Sequence, residues 1–183
     1  MRKNMGRTCC FTGYRPAKLT YLHRKESGEY RRLYEVLTSL IREAAVGGYD
    51  HFISGMAQGI DLMAAKILLE LKAQGTDLTF EAALPGMNQT HGWSADVCRE
   101  YYALLDQADA RHCVAGETTR YSCLKRNDYM IARSDLVIAV FDGKNGGTAY
   151  TVKQARKKNR DLWLIDPSTF EVTREEGLFG CGF

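Results

Sequence analysis

Short apolar runs alternate with amphipathic stretches along the whole chain, and this alternation restricts the fold more than any other feature. The runs "TCCFTG" (8–13), "DHFIS" (50–54), "DLTFEAALP" (77–85), "ARHCVA" (110–115), "DLVIAVFDG" (135–143) and "LWLID" (162–166) have the length and content of buried strands. Between them apolar residues recur every three or four positions. Tyr30, Leu33, Tyr34, Leu37, Leu40, Ile41 and Ala44 form the first such series, stopped by Gly47-Gly48. The others are "AQGIDLMAAKILLELKAQG", the series Trp93, Val97, Tyr101 and Leu104, then "LKRNDYMIARS", and a stretch from Thr148 to Asn159. Strand and helix in strict succession predict an α/β fold, with a mostly parallel sheet carrying helices on both faces in three layers. At 183 residues, without internal repeats or a linker, residues 1–183 are expected to form one domain.

Composition narrows the function classes. The chain is 45% hydrophobic and has only three prolines, which favours a packed core over a disordered segment. No apolar run approaches the roughly 20 residues of a membrane span, and the start "MRKNMGRTCCFTGYRP" lacks an apolar signal core. The expectation is a cytoplasmic domain without membrane contact. Cys9, Cys10, Cys98, Cys113, Cys123 and Cys181 include no C-x-x-C pair, so reduced, non-ligating thiols and no metal site are expected. Net charge is +3, but residues 1–32 carry nine Lys/Arg against two Glu. That bias, with "KQARKKNR" at 153–160, gives only weak support to a nucleic-acid partner.

In parallel sheets ligands bind beyond the carboxyl ends of the strands, near the switch point in strand order. The loops at those ends are "TGYRP", "SGMAQGID", "LPGMNQTHGW" and "DGKNGGT". Gly13 opens the first and Arg15 offers a charged fork for phosphate. In the second, Ser54, Gly55, Met56 and Gly59 lead into a helix whose first N–H groups can hold an oxyanion. Asp61 falls in that first turn, where a carboxylate also complements the helix dipole. Gly146, Gly147 and Thr148 repeat the arrangement after the most apolar strand. Arg126 and Asn127 precede that strand, and Tyr14 and Trp93 are candidates for stacking on a base. His91 is the best acid–base candidate, while Glu81 and Asp61 are carboxylates without an evident partner. No nucleophile elbow G-x-S-x-G occurs.

"SGMAQGID" followed by "RNDYMIARSDLVIAVFDG…GGTAYTVKQARKKNRDLWLI" is similar to the SLOG superfamily of Rossmann-like domains, which includes DprA/Smf proteins and LOG enzymes. "FTGYRP", the "LP…W" loop and "RN" resemble the compact YpsA-like members, over about residues 8–166. The resemblance implies a nucleotide-derived ligand, of ADP-ribose or NAD type, with Ser54, Gly55 and Gly59 as one phosphate loop and Gly146, Gly147 and Thr148 as the other. LOG enzymes carry P-G-G-x-G-T-x-x-E, and Thr151 stands where that glutamate would fall. The resemblance therefore implies a sensing or regulatory binding module before a LOG-like phosphoribohydrolase. A DprA-like single-stranded DNA module is the further alternative. Beyond that ligand no cofactor is expected, no catalytic residue is assigned, and a homo-oligomer is left open.

Overall fold

In a computed structural model, which describes residues 6–177, the alternation becomes a single sheet. Its strands are β1 (Arg7–Thr12), β2 (Tyr49–Ser54), β3 (Thr79–Leu84), β4 (Ala110–Cys113), β5 (Leu136–Val140), β6 (Asp161–Ile165) and β7 (Val172–Glu175). They lie in the order β4-β3-β2-β1-β5-β6-β7, parallel throughout except that β7 runs antiparallel to β6. The helices are α1 (Gly28–Val46), α2 (Ile60–Ala73), α3 (Ala95–Leu105), α4 (Arg120–Arg133) and α5 (Gly147–Lys157), with one 3-10 turn at Thr20–His23.

The two-residue period of the strands sorts side chains into two cores. Cys9, Phe11, Phe52, Phe80, Ile138 and Val140 join α1, α2 and α3 on one face. Cys10, Ile53, Ala83, Val137 and Ala139 join α4 and α5 on the other. The expected three layers are thus present. β5 is buried at every residue, whereas β4, at the sheet edge, is exposed at all four.

Helix starts follow capping chemistry more closely than apolar periodicity. α3 begins after Ser94, whose hydroxyl accepts from Val97 N, two residues beyond Trp93. α4 begins four residues before the "LKRNDYMIARS" stretch, because Thr119 and Ser122 form a reciprocal capping box. β7 carries no apolar run, and beside its backbone pairing with β6 its own charged side chains tie it to two helices. Arg156 grips Glu175 at 2.7 and 2.8 Å, and Arg174 reaches Glu43 of α1 at 2.8 and 3.0 Å.

Candidate functional site

The order of the strands reverses between β1 and β5, and a cavity of about 960 Å³ opens there at the carboxyl edge of the sheet. Its wall draws on the loops after β1, β2, β3 and β5 and on the start of α4. Of the residues singled out in the sequence, Gly13, Tyr14, Arg15, Asp61, Trp93, Arg126, Asn127, Gly146, Gly147 and Thr148 line it.

Ser54, Gly55, Met56 and Gly59 do not line the cavity; they shape the turn that supports it. Ser54 is fully buried, donates to Asp61 O at 2.8 Å and accepts from Met56 N at 3.1 Å. Its hydroxyl is thereby used inside the loop. Met56, buried behind it, adopts φ +56°, a left-handed conformation rare for a side chain of its size. The Gly55 carbonyl accepts from Arg126 Nη1 and from Gln89 Nε2, the latter at 3.2 Å. A Cβ on Gly55 would lie 2.7 Å from Arg126 Cζ and from Asp61 Oδ2. Glycine is required here to admit the arginine. From this loop only Ala57, Gln58 and Asp61 reach the cavity surface.

Arg126, 4% exposed, ties the two glycine turns together. Its Nε donates to Asn127 Oδ1 at 2.8 Å, Asn127 Nδ2 donates to Thr151 Oγ1 at 3.0 Å, and Thr151 donates to Gly147 O at 3.0 Å. Its Nη1 stands 3.9 Å from Asp61 Oδ2. Burial disfavours the Asp61 carboxylate and raises its pKa, although Arg126 and the Ala57 N–H oppose the shift. Burial likewise lowers the pKa of Arg126, with Asp61 acting against it.

The N-terminus of α5 is a different kind of feature. Gly146 has φ +147°, no side chain caps the helix, and no acidic residue stands in its first turn. Its first N–H groups are therefore available for an anion. Lys18 sits over this end, donating to Asn145 O at 2.8 Å, so close that a Cβ on Gly146 would lie 2.7 Å from Nζ. Lys18 also covers the Tyr14 ring at 5.0 Å. The Tyr14 hydroxyl donates to Asp142. Lys144 and Tyr14 hold that carboxyl down at about 2, while burial and Asp142 push the Tyr14 phenol up to about 12. With 4% exposure and Lys18 above it, Tyr14 has little ring face left for stacking. Trp93 is half-buried, with its edge-on contact to Tyr101 at 5.5 Å.

Lys18, Gln89, Thr118 and Arg120 also line the cavity and stand outside the sequence-based set. The basic bias of residues 1–32 contains a signal for Lys18; nothing in "MNQTHGW" marks Gln89. His91 is exposed and does not line the cavity. Glu81 does have partners, His51 Nε2 at 2.7 Å and Tyr129 OH at 2.5 Å, and it does not line the cavity.

The family model of the YspA SLOG family (YpsA) matches residues 9–170. The chain belongs to that family. UPF0398 proteins of Bacillus thuringiensis (strain Al Hakam) and Bacillus cereus (strain AH187) are each 30% identical to it over 156 residues, covering 80% of this chain and 81% of theirs. Among solved structures, DNA processing protein A of Streptococcus pneumoniae is similar with a TM-score of 0.58 at 15% identity, and that of Helicobacter pylori with 0.59 at 18%. Each alignment covers 88% of this SLOG chain, but only 50% and 66% of the respective DprA chains. The shared element is the Rossmann-like fold. Among the described residues no helix is long and apolar enough to cross a membrane.

Proposed function

We propose that this SLOG domain binds a nucleotide or nucleotide-derived ligand of the ADP-ribose or NAD class in the cavity at the β1–β5 switch point. The observation that carries this reading is the uncapped α5 N-terminus beneath Lys18, opening into a space of about 960 Å³. Backbone N–H groups, a helix dipole and an ammonium converge there on one position suited to phosphate. Arg15 and Arg120 add positive charge along the wall, and Trp93 supplies an aromatic surface. Ser54, Gly55, Met56 and Gly59 act in this reading by holding Asp61 and Arg126 in place. A sensing or regulatory role fits better than LOG-type hydrolysis. Thr151, where the LOG glutamate would fall, is 2% exposed with its hydroxyl committed to Asn127 and Gly147.

Thermal melts with AMP, NAD, ADP-ribose and inorganic phosphate test the reading. A ligand at one hundred times its Kd stabilises by about 2.7 kcal/mol, or roughly 5–10 °C for a domain of this size. Lys18→Gln should weaken the response, and the absence of any shift at millimolar ligand would refute the proposal.

A second reading, single-stranded nucleic acid, is favoured by Tyr121 on α4. It is 67% exposed with Lys125 Nζ 5.0 Å above its ring, one residue from Arg120 at the cavity. Exposed aromatic and basic side chains side by side form a stacking platform. The H. pylori DprA structure is described as binding single-stranded DNA. This reading predicts oligonucleotide affinity that falls steeply with salt and drops on Tyr121→Ala. Salt-insensitive or absent binding rules it out.

A further inference from the structure

The cavity has a second end, where the loop after β3 meets the loop before α4. The two loops are fixed to each other through Thr118 N, which donates to Asn88 Oδ1 at 2.6 Å, and Met87 N, which donates to Gly116 O at 3.2 Å. They approach so closely that a Cβ on Gly86 would fall 2.6 Å from Glu117 O. Gln89 lies in this corner with 8% exposure and lines the cavity.

Its amide orientation is set by its neighbours. Nε2 donates to the Gly55 carbonyl, which also accepts from Arg126. Reversing the amide would bring Oε1 against that carbonyl oxygen, lone pair to lone pair. Gln89 is thus left with an acceptor to offer, and Oε1, buried in the wall, has no hydrogen-bond partner among the described residues. Thr118 Oγ1, in the same wall, is also unpartnered. Native proteins seldom leave such atoms unmet unless something else supplies the partner.

We propose that Gln89 is a specificity-determining residue, its Oε1 accepting a hydrogen bond from the exocyclic amine of an adenine nucleotide while Thr118 Oγ1 donates to the adjacent ring nitrogen. This rests on the nucleotide reading above. The dimensions support it. The Gln89 amide is bonded to Gly55, which follows β2, and Gly146 follows β5, two strand spacings apart in the sheet order, or about 10 Å at roughly 4.8 Å per strand. A nucleotide spans that separation from phosphate to base edge, whereas a free phosphate or a free base does not. Trp93, four residues beyond Gln89, brings an aromatic face to the same wall.

Calorimetric titration of the full chain with AMP, purine riboside 5′-monophosphate and IMP tests the assignment. The second probe lacks the amine, and the third replaces it with a carbonyl and places an N–H on the ring. AMP should bind roughly tenfold more tightly than the purine riboside compound, the worth of one buried hydrogen bond. In Gln89→Leu, checked for folding by its melting curve, the ratio should fall to near one. Gln89→Met gives the same readout should the leucine variant not fold, and Thr118→Val should weaken AMP and the purine riboside compound alike, because both keep that ring nitrogen, leaving their ratio unchanged. Equal wild-type affinity for AMP and the purine riboside compound overturns the proposal while leaving the nucleotide reading intact. A ratio unchanged in the Gln89 variants does the same, and tighter binding of IMP than AMP overturns the adenine assignment. Silence of all three probes overturns the proposal, and the nucleotide reading falls with it only if NAD, ADP-ribose and phosphate are also silent.

Discussion

Gly55 and Arg126 show how single residues set this site. The guanidinium reaches the Gly55 carbonyl only because no Cβ stands between them. Gly55→Ala should therefore destabilise the protein by about 1–3 kcal/mol, the usual range for an overpacked interior position. A urea midpoint within 0.5 kcal/mol of wild type would show that the arginine can move aside. Removing the other partner has a distinct signature. Arg126→Met leaves the buried Asp61 carboxylate without its countercharge, which costs about 3–5 kcal/mol at pH 7. Asp61 already has its folded pKa raised above the unfolded value of about 3.9, so the folded state takes up a proton more readily than the unfolded state. The deficit of Arg126→Met should accordingly shrink as pH falls from 7 toward 5, and Asp61→Asn in the same background should recover part of it. A deficit constant over that range would contradict the ion-pair account.

At the scale of elements, α4 does two jobs with neighbouring residues of its carboxyl-terminal half. Arg126 and Asn127 reach the cavity, while Tyr129 docks the helix onto β2, β3 and β4 through Glu81. Glu81, 5% exposed, also accepts from His51 of β2, and His112 of β4 stacks on the Tyr129 ring at 4.0 Å. Burial alone would raise the Glu81 pKa, but the hydrogen bonds from His51 and Tyr129 outweigh it and the net direction is downward. A carboxyl whose folded pKa is depressed contributes stability above its unfolded value, about 4.3, and loses that contribution as pH falls through the folded pKa. Glu81→Gln should thus cost about 1–2 kcal/mol at pH 7, with wild type and variant converging below about pH 4 in chemical denaturation. Parallel curves across that range would refute the role assigned to this cluster.

At the scale of the molecule, the site exists because four loops from one edge of the sheet converge across the switch point. Ligand binding should slow amide exchange on both sides of it together, at residues 13–19 and 143–149 around the phosphate position and at 86–93 and 116–122 around Gln89. Hydrogen exchange with saturating ligand checks this. Protection confined to one side would mean that the ligand does not span the cavity.

Much of this was legible in the chain. Strand–helix alternation determined an α/β sandwich, because apolar period distinguishes a two-sided strand from a one-sided helix without knowledge of the rest. Glycine turns at the ends of apolar runs located the loops that build the site, and the family resemblance spans nearly all of it. Other features were not legible. The roles within "SGMAQGID" divided between support and wall because Ser54 turns inward to Asp61 and Arg126 arrives from 71 residues away. Lys18 meets α5 across 127 residues, and Glu81 finds His51 and Tyr129 on other elements. β7 escapes a periodicity reading because its four residues carry no apolar run, and ion pairs to α1 and α5 fasten it. Local patterns of polarity thus determined which elements form. Strand order and the partners of buried polar atoms were decided only by tertiary structure, since hydrogen bonds and desolvation act between groups that folding brings together from distant parts of the chain.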